Sequence, residues 1–223
     1  MKSLGTYRFL LLGFIFLNAS PSLYAQKDSS FRPFQYVRIG ADLSKPLYNF
    51  FSPNQQSYEF QLDAALKKDV YTALEMGWGN ARVNNDFLSF KSSNTFIRLG
   101  LDKTFFGREF KGDMDNAFAG LRLGFAPVKR GSAAYKIDDP VWGNGNGIIP
   151  SASFNAWWIE LTGGFRMEIV KNVFAGWNVR GKTFLNPKKF ESLPPSFIAG
   201  YGRGDKNTAF SYNFYVLYGI GKR

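Results

Sequence analysis

Cysteine and histidine are both absent from the 223-residue sequence. Without cysteine the chain has no disulfide framework, no thiol nucleophile and no lipid-modified N-terminal cysteine. Without histidine it has no imidazole acid or base, and the usual ligand sets of zinc and haem sites are missing. We therefore expect no metal, no cofactor and no histidine-dependent catalysis.

Long hydrophobic runs are also lacking. The apolar run Phe9 to Leu17 follows Lys2 and Arg8 and leads to the small residue Ala25. This layout predicts a secretory signal peptide over residues 1–25, because the run is far shorter than the ~20 apolar residues that a membrane-spanning helix needs. Its removal leaves 26 basic and 17 acidic residues, a net charge of +9. No later run is long enough for a helical span.

Alternation of apolar and polar residues at the strand period of two fills most of the remaining chain. Eight runs show it: 36–43, 58–66, 70–79, 95–102, 117–125, 157–170, 173–180 and 210–220. One face of these runs carries no charge. The other carries many glycines and the charged residues Arg38, Asp42, Glu59, Asp63, Glu75, Arg98, Asp102, Arg122, Glu160, Arg166, Glu168 and Arg180. The pattern predicts an all-β fold, an eight-stranded antiparallel up-and-down barrel over residues 36–223, preceded by a short periplasmic segment, 26–35.

The direction of the charged face separates two classes of barrel. A soluble lipocalin-like barrel has an apolar cavity and charges in water, whereas a membrane barrel has an apolar outer wall and a polar interior. Connection lengths favour the membrane barrel. Long loops at 44–57, 80–94, 126–156 and 181–209 alternate with tight turns at Lys67–Asp69 and Lys171–Asn172, although the third short-side connection, Lys103–Asn116, is longer.

Aromatic and arginine residues also favour a transmembrane barrel. Aromatic residues near the ends of the apolar faces suit a girdle at the lipid headgroups: Tyr58, Trp78, Phe125, Trp157, Trp177, Phe210 and Tyr218. The basic residues of the charged face are all arginine, which pairs well with carboxylates in a confined space. An eight-stranded barrel is just filled by its side chains, so we expect these charges to interlock as a structural network without an open pore.

The signal peptide, the eight alternating strands, the alternating connections and the aromatic last strand (Ala209 to Arg223) together resemble small outer-membrane barrels of the OmpA/OmpX type. More narrowly, the chain resembles uncharacterised outer-membrane barrels of Bacteroidota that are grouped as a domain of unknown function. The resemblance covers about residues 34–223 and implies the outer membrane of a Gram-negative bacterium. Barrel enzymes of this size class generally use a histidine, so it implies no catalytic site here.

Three functions remain open from the sequence. The first is a non-porin barrel of structural or surface-interaction type, whose loops contact outer-membrane lipid, including lipopolysaccharide phosphates. Loop residues suited to that contact are Lys182, Lys188, Lys189, Arg203 and Lys206. The second is a membrane-embedded enzyme or small-ligand transporter using interior residues such as Glu59, Asp63 and Glu75. The third is a soluble periplasmic binding barrel. Nucleic-acid binding is not expected, because no basic helix or ribbon concentrates the charge.

Overall fold

A computed structural model of the chain describes residues 32–105, 114–139, 141, 143–186 and 193–221. The predicted signal peptide and residues 26–31 lie outside these ranges, so their assignments stay predictions. The described elements are one helix and ten strands. They are β1 (Tyr36–Asp42), α1 (Ser44–Phe51), β2 (Gln55–Lys67), β3 (Val70–Asn84), β4 (Leu88–Thr104), β5 (Asn116–Arg130), β6 (Ala133–Asp139), β7 (Gly143–Ile149), β8 (Ala152–Val170), β9 (Val173–Phe184) and β10 (Thr208–Gly221).

Eight of these strands close into a barrel. The order is β1, β2, β3, β4, β5, β8, β9, β10, every neighbouring pair is antiparallel, and β10 pairs with β1 to complete the ring. Strands β6 and β7 form a hairpin that joins the barrel through Leu88 and Ser89 of β4. The predicted eight-stranded antiparallel up-and-down barrel is confirmed.

The polar face of the strands points inward. Leu99, Leu121 and Leu161 are each more than half exposed on the outer wall, whereas Arg98 and Glu75 are buried inside the barrel. A period-two strand sends alternate residues to opposite faces, so this one choice fixes the direction of the wall side chains away from the irregularities at Ala65–Lys67 and Glu168–Val170. The structure contradicts the soluble lipocalin-like alternative, which required an apolar cavity and charges in water.

Two tight turns lie at the end of the barrel where β1 begins and β10 ends, which we call the terminal end. Asp69 and Asn172 adopt positive φ angles of 61° and 66° in these turns. Short polar side chains tolerate this left-handed conformation better than most residues do. The sequence prediction of turns at Lys67–Asp69 and Lys171–Asn172 therefore agrees with the backbone. The opposite end, with the connections 43–54, 85–87, 131–151 and 185–207, is called the loop end.

The connections at the loop end are shorter than predicted. Strand β3 continues to Asn84 and strand β4 already begins at Leu88, so the predicted loop 80–94 is mostly strand. The predicted loop 126–156 holds the ends of β5 and β8 and the hairpin β6–β7. The sequence pattern failed here because the polarity of the faces reverses. Asn80 and Arg82 of β3 are exposed, and Ala81 between them is buried.

Helix α1 lies within the predicted loop 44–57 and was not predicted. Its apolar residues Leu47, Phe50 and Phe51 are strongly exposed, and none of its residues is buried. Among the described residues, no helix is long and apolar enough to cross a membrane.

Candidate functional site in the barrel interior

Glu75 of β3 lies at the centre of a buried ion-pair cluster. Its carboxylate contacts three guanidinium groups: Arg98 at 2.7 Å, Arg180 at 2.6 Å and Arg122 at 3.3 Å. These arginines come from β4, β9 and β5, so the cluster connects strands from several sides of the barrel. A buried carboxylate is stable only when such partners replace its hydration, and the three arginines supply them.

Two further carboxylates lie on the same arginines. Glu59 of β2 is ion-paired with Arg98 and lies 3.5 Å from Arg180. Glu160 of β8 is 3.2 Å from Arg98 and 3.5 Å from Arg180, and it accepts a hydrogen bond of 2.6 Å from the indole nitrogen of Trp158. Arg98 and Arg180 thus bridge three carboxylates across the barrel.

A second group lies nearer the terminal end. Asp63 of β2 accepts from Arg38 Nε at 2.6 Å and lies 2.9 Å from Arg166 Nη2. Aromatic rings cover both guanidinium groups, with Tyr71 4.6 Å from Arg38 and Phe118 5.0 Å from Arg166. Cation–π contacts of this kind stabilise a desolvated arginine and leave it little room to move.

Arg122 extends the first group to Asp102. It makes a two-pronged contact with Asp102, at 2.7 Å and 3.0 Å, while its Nε atom reaches Glu75. The sequence analysis expected the inward charges to interlock, and the structure pairs Arg38 with Asp63, Arg98 with Glu59 and Arg122 with Glu75. Because every one of these carboxylates is paired with arginine, none is positioned as a free acid or base.

Asp42 differs from this prediction. It is buried at the loop-end limit of β1, but it lies outside the arginine clusters. Its Oδ1 atom accepts from the backbone N–H and the hydroxyl of Ser44, at 2.8 Å and 2.6 Å, and Asn213 donates to its other oxygen. Lys45 lies 3.4 Å away. Asp42 therefore secures the first turn of α1, and its assignment to the charge network is corrected.

An apolar layer lies between much of the ion-pair cluster and the loop end. The ring of Tyr201 stacks on Phe184, with ring centroids 3.7 Å apart, and meets Trp158 edge-on. Ile198 and Ala199, in the connection between β9 and β10, are fully buried beside them. This connection therefore folds back into the mouth of the barrel.

Buried polar groups hold that connection in place. The amide of Asn94 on β4 exchanges two hydrogen bonds with the backbone of Ala199, at 3.0 Å and 2.8 Å. Arg98 donates to the carbonyl of Gly200 at 3.1 Å. One arginine thus contacts both the carboxylate cluster and the inserted loop, so the two layers are physically linked.

The predicted loop cations have different positions. Lys182 is not in a loop but on β9, where it is buried and donates to the carbonyls of Gly200 and Tyr201 at 2.8 Å and 3.1 Å. Its assignment as a loop cation is therefore corrected. Lys188 and Lys189 lie outside the described residues. Arg203 and Lys206 are exposed, and Arg203 pairs with Asp205 at 2.6 Å. This hydrogen bond lowers the pKa of the Asp205 carboxyl.

The predicted girdle residues all lie on the outer wall. Near the loop end, Tyr58 pairs with Trp78 across β2 and β3, and Phe125 packs on Trp157 with ring centroids 4.5 Å apart. Nearer the terminal end lie Trp177 on β9 and Tyr218 on β10, and Phe210 is near the start of β10. These positions give two aromatic levels on the barrel.

A cavity of about 490 Å³ opens at the loop end. It lies between α1, the first residues of β2 and β10, and the connection 193–207. Its lining combines aromatic rings with the cations Lys45, Lys182, Arg203 and Lys206. Among the described residues, no group of carboxylates is arranged to hold a metal ion.

A protein-family model described as "Domain of unknown function (DUF6048)" matches residues 2–221. The chain belongs to this family. The recognition of an uncharacterised barrel family from the sequence is thereby confirmed. No curated protein sequence matches the DUF6048 chain.

Solved structures similar to the DUF6048 chain include three small barrels. The N-terminal β-barrel domain of Pseudomonas aeruginosa OprF has a TM-score of 0.44 at 11% identity, covering 85% of this chain and 100% of its own. Neisserial surface protein A has a TM-score of 0.43 at 10% identity, covering 84% of this chain and 96% of its own. Ail, the attachment invasion locus protein of Yersinia pestis, has a TM-score of 0.42 at 9% identity, covering 83% of this chain and 97% of its own.

Sequence analysis missed the inserted loop, helix α1 and the cavity between them. The inserted segment carried one usable signal, since Phe197, Ile198 and Tyr201 are too apolar for an ordinary exposed loop. A signal for helix α1 was the spacing of Leu47, Phe50 and Phe51, which places these residues near one face of a helix. Neither signal indicates which surface the segment packs against.

Proposed function

We propose that this DUF6048 protein is an outer-membrane β-barrel of a Gram-negative bacterium, of structural or surface-interaction type and without catalytic activity. The observation that carries the proposal is the inverted polarity of the wall. Arginines and carboxylates are buried inside the barrel, and leucine, isoleucine and aromatic side chains cover the outside. Such a wall is stable where hydrocarbon surrounds it, because lipid rather than water then covers the apolar side chains.

The two aromatic levels support a membrane position. Tyrosine and tryptophan favour the interface between hydrocarbon and water, where the ring is in apolar surroundings and its polar atom reaches water. Beyond Trp78, Trp157 and Phe125 on the loop side, the outward residues become polar, as Lys91 and Lys129 show. The change in polarity marks where the lipid would end and the external solvent would begin.

The interior supports a non-porin function. Eight strands enclose a space that side chains can fill, and here ion-paired arginines fill its centre while the connection 193–207 occupies its mouth. The same pairing argues against an enzyme or a transporter that uses Glu59, Asp63 and Glu75, because each carboxylate already serves as a counter-charge to an arginine.

Partners would then bind at the loop end. Arg203 and Lys206 are exposed there, at the level where lipopolysaccharide phosphates would surround the barrel. Exposed cations attract such phosphates and can form charge-assisted hydrogen bonds with them. We therefore propose outer-membrane lipid, including lipopolysaccharide phosphate, as the immediate partner.

Membrane fractionation of cells that express the chain, followed by gel electrophoresis of heated and unheated samples, tests this function. The expected result is recovery from the outer-membrane fraction with a folded form that migrates differently before heating. In planar lipid bilayers the folded protein should show no stepwise conductance of the porin kind. Recovery in the aqueous periplasmic fraction would refute the membrane placement, and regular conductance steps would refute the non-porin function.

A further inference from the structure

The barrel wall has a local break at the loop end, beside β1. Strand β1 ends at Asp42, which pairs with Tyr215 of β10, and its pairing with β2 ends at Ala41 and Phe60. Strand β2, however, reaches up to Gln55, and β10 begins at Thr208. Above Asp42, therefore, no strand of the described part of the chain lies between β2 and β10.

Helix α1 covers one side of this break. Asn49 of the helix uses its side-chain amide as a strand partner, accepting from Ser57 N–H and donating to Ser57 C=O, each at 2.9 Å. On the other side, the last backbone hydrogen bond to β10 in the described residues runs from Leu43 N–H to Phe214 C=O, at 2.7 Å. The helix is thus attached to β2, while a seam remains between α1 and β10.

The cavity of about 490 Å³ lies directly behind this seam. Phe210 and Tyr212 of β10 line it and also face outward, whereas Phe96 and Tyr201 line it from the barrel interior. Aromatic side chains therefore line the cavity both from the outer wall and from the barrel interior.

Cations surround the mouth of the cavity. Lys45 lies on α1, and Arg203 and Lys206 lie on the connection between β9 and β10. Asp42 lies 3.4 Å from Lys45 and Asp205 pairs with Arg203, but both cations keep further N–H donors for a phosphate. Glu59 also lines the cavity, but Arg98 neutralises it from below. The cavity therefore combines an apolar channel towards the outer wall with a cationic rim, which suits an amphiphile with an anionic head.

We propose that this α1–β10 cleft binds a phosphorylated lipid of the surrounding membrane. The phosphate lies between Lys45, Arg203 and Lys206, and an acyl chain passes through the seam between α1 and β10. The volume falls in the range of roughly 300–1,000 Å³ that is usual for small-ligand pockets. The inference rests on the proposed membrane function and adds to it a specific lipid site.

Photocrosslinking of the full chain in phosphatidylcholine nanodiscs tests the cleft. The probe is phosphatidic acid with a diazirine in one acyl chain, and mass spectrometry locates the crosslinks. The expected crosslinks are on cleft residues such as Tyr48, Phe197 and Tyr201, and glycerol 3-phosphate should not compete with the probe. Labelling confined to the outer wall would overturn the proposal. Loss of the cleft crosslinks when glycerol 3-phosphate is added would also overturn it, because it would indicate a site for soluble anions.

Charge variants separate the cleft from general attraction of the lipid. The combined change Lys45→Gln, Arg203→Gln and Lys206→Gln should lower cleft labelling roughly tenfold or more. The matched control Arg82→Gln, Lys91→Gln and Lys129→Gln removes the same charge from exposed positions on β3, β4 and β5 and should leave labelling unchanged. An equal loss in both triple variants would overturn the specific site.

A second variant tests the cavity without altering charge. Ser211 lines the cavity, and Ser211→Trp should fill it and remove the cleft crosslinks. Heated and unheated gel samples show whether each variant is folded, and the charge variants carry the test if Ser211→Trp does not fold. A folded, outer-membrane protein without cleft labelling would refute the lipid site alone. A protein absent from the outer membrane would refute the proposed function itself.

Discussion

Arg98 lies directly opposite Glu75 in the ladder between β3 and β4, and its Nη2 atom is 2.7 Å from the Glu75 carboxylate. Both side chains are buried, and Arg98 also donates to the carbonyl of Gly200 in the inserted loop. This pair therefore connects the centre of the interior with the segment in the barrel mouth. A local change at Glu75 should affect the stability of the whole barrel.

Glu75→Gln should lower the free energy of unfolding by about 3–5 kcal/mol, because it leaves guanidinium groups buried without their central counter-charge. Urea titration of the protein folded in lipid vesicles, followed by tryptophan fluorescence, measures the change. Asp86→Asn is the matched control, since Asp86 is exposed in the connection between β3 and β4. If Glu75→Gln lowers the free energy of unfolding no more than Asp86→Asn does, the structural importance of the cluster is contradicted.

Asn94→Ala should loosen the inserted connection without unfolding the barrel. It removes two buried hydrogen bonds to Ala199, a loss of about 1–3 kcal/mol in local stability. Trypsin cleavage at Arg203 and Lys206, followed over time, should become roughly tenfold faster as the segment opens more often. Asn84→Ala, at an exposed position of β3, should leave the cleavage rate unchanged. Equal rates for the two variants would show that Asn94 does not hold this segment.

The barrel core could be predicted from the sequence because the outer wall and the interior of a barrel impose opposite demands on alternate residues. Leu99 and Leu101 have to face outward, and Arg98 and Asp102 have to face inward, so the strand period identifies β4 without any tertiary information. The same reasoning predicted which residues are charged inside. It could not predict the pairing, since the contact of Arg98 with Glu160 depends on the register of strands that are distant in sequence.

The loop end could not be predicted in the same way. Above the aromatic level the outer wall becomes polar and the interior becomes apolar: Lys91 and Lys129 face out, while Phe96 and Val128 face in. A search for apolar outer faces therefore ends the strands too early. Helix α1 and the inserted connection depend on contacts with strands that are distant in the sequence, and these contacts cannot be predicted from the local sequence.

Leu99→Arg should show that the outer wall needs a hydrocarbon environment. Leu99 is 59% exposed and lies between the two aromatic levels of the wall, so the substitution would place a charge in the lipid. A loss of about 2–4 kcal/mol in folding free energy is expected in vesicles, whereas Asn80→Arg, beyond the aromatic level on β3, should cost about 0–1 kcal/mol. Urea titration in vesicles measures both changes, and equal tolerance at the two positions would contradict the membrane placement.

Gly124→Ala should destabilise the barrel because the added methyl group has no space. Gly124 of β5 faces the interior, and a Cβ atom there would overlap the indole ring of Trp158, which is itself fixed by its hydrogen bond to Glu160. Overpacking of this kind costs about 1–3 kcal/mol. Gly163→Ala is the control, since its nearest neighbour would be the carbonyl oxygen of Phe118 at an ordinary 3.7 Å. Urea unfolding of both variants in vesicles measures the difference. If both alanine variants unfold at the same urea concentration, Trp158 is free to move and the interior is less tightly packed than the structure shows.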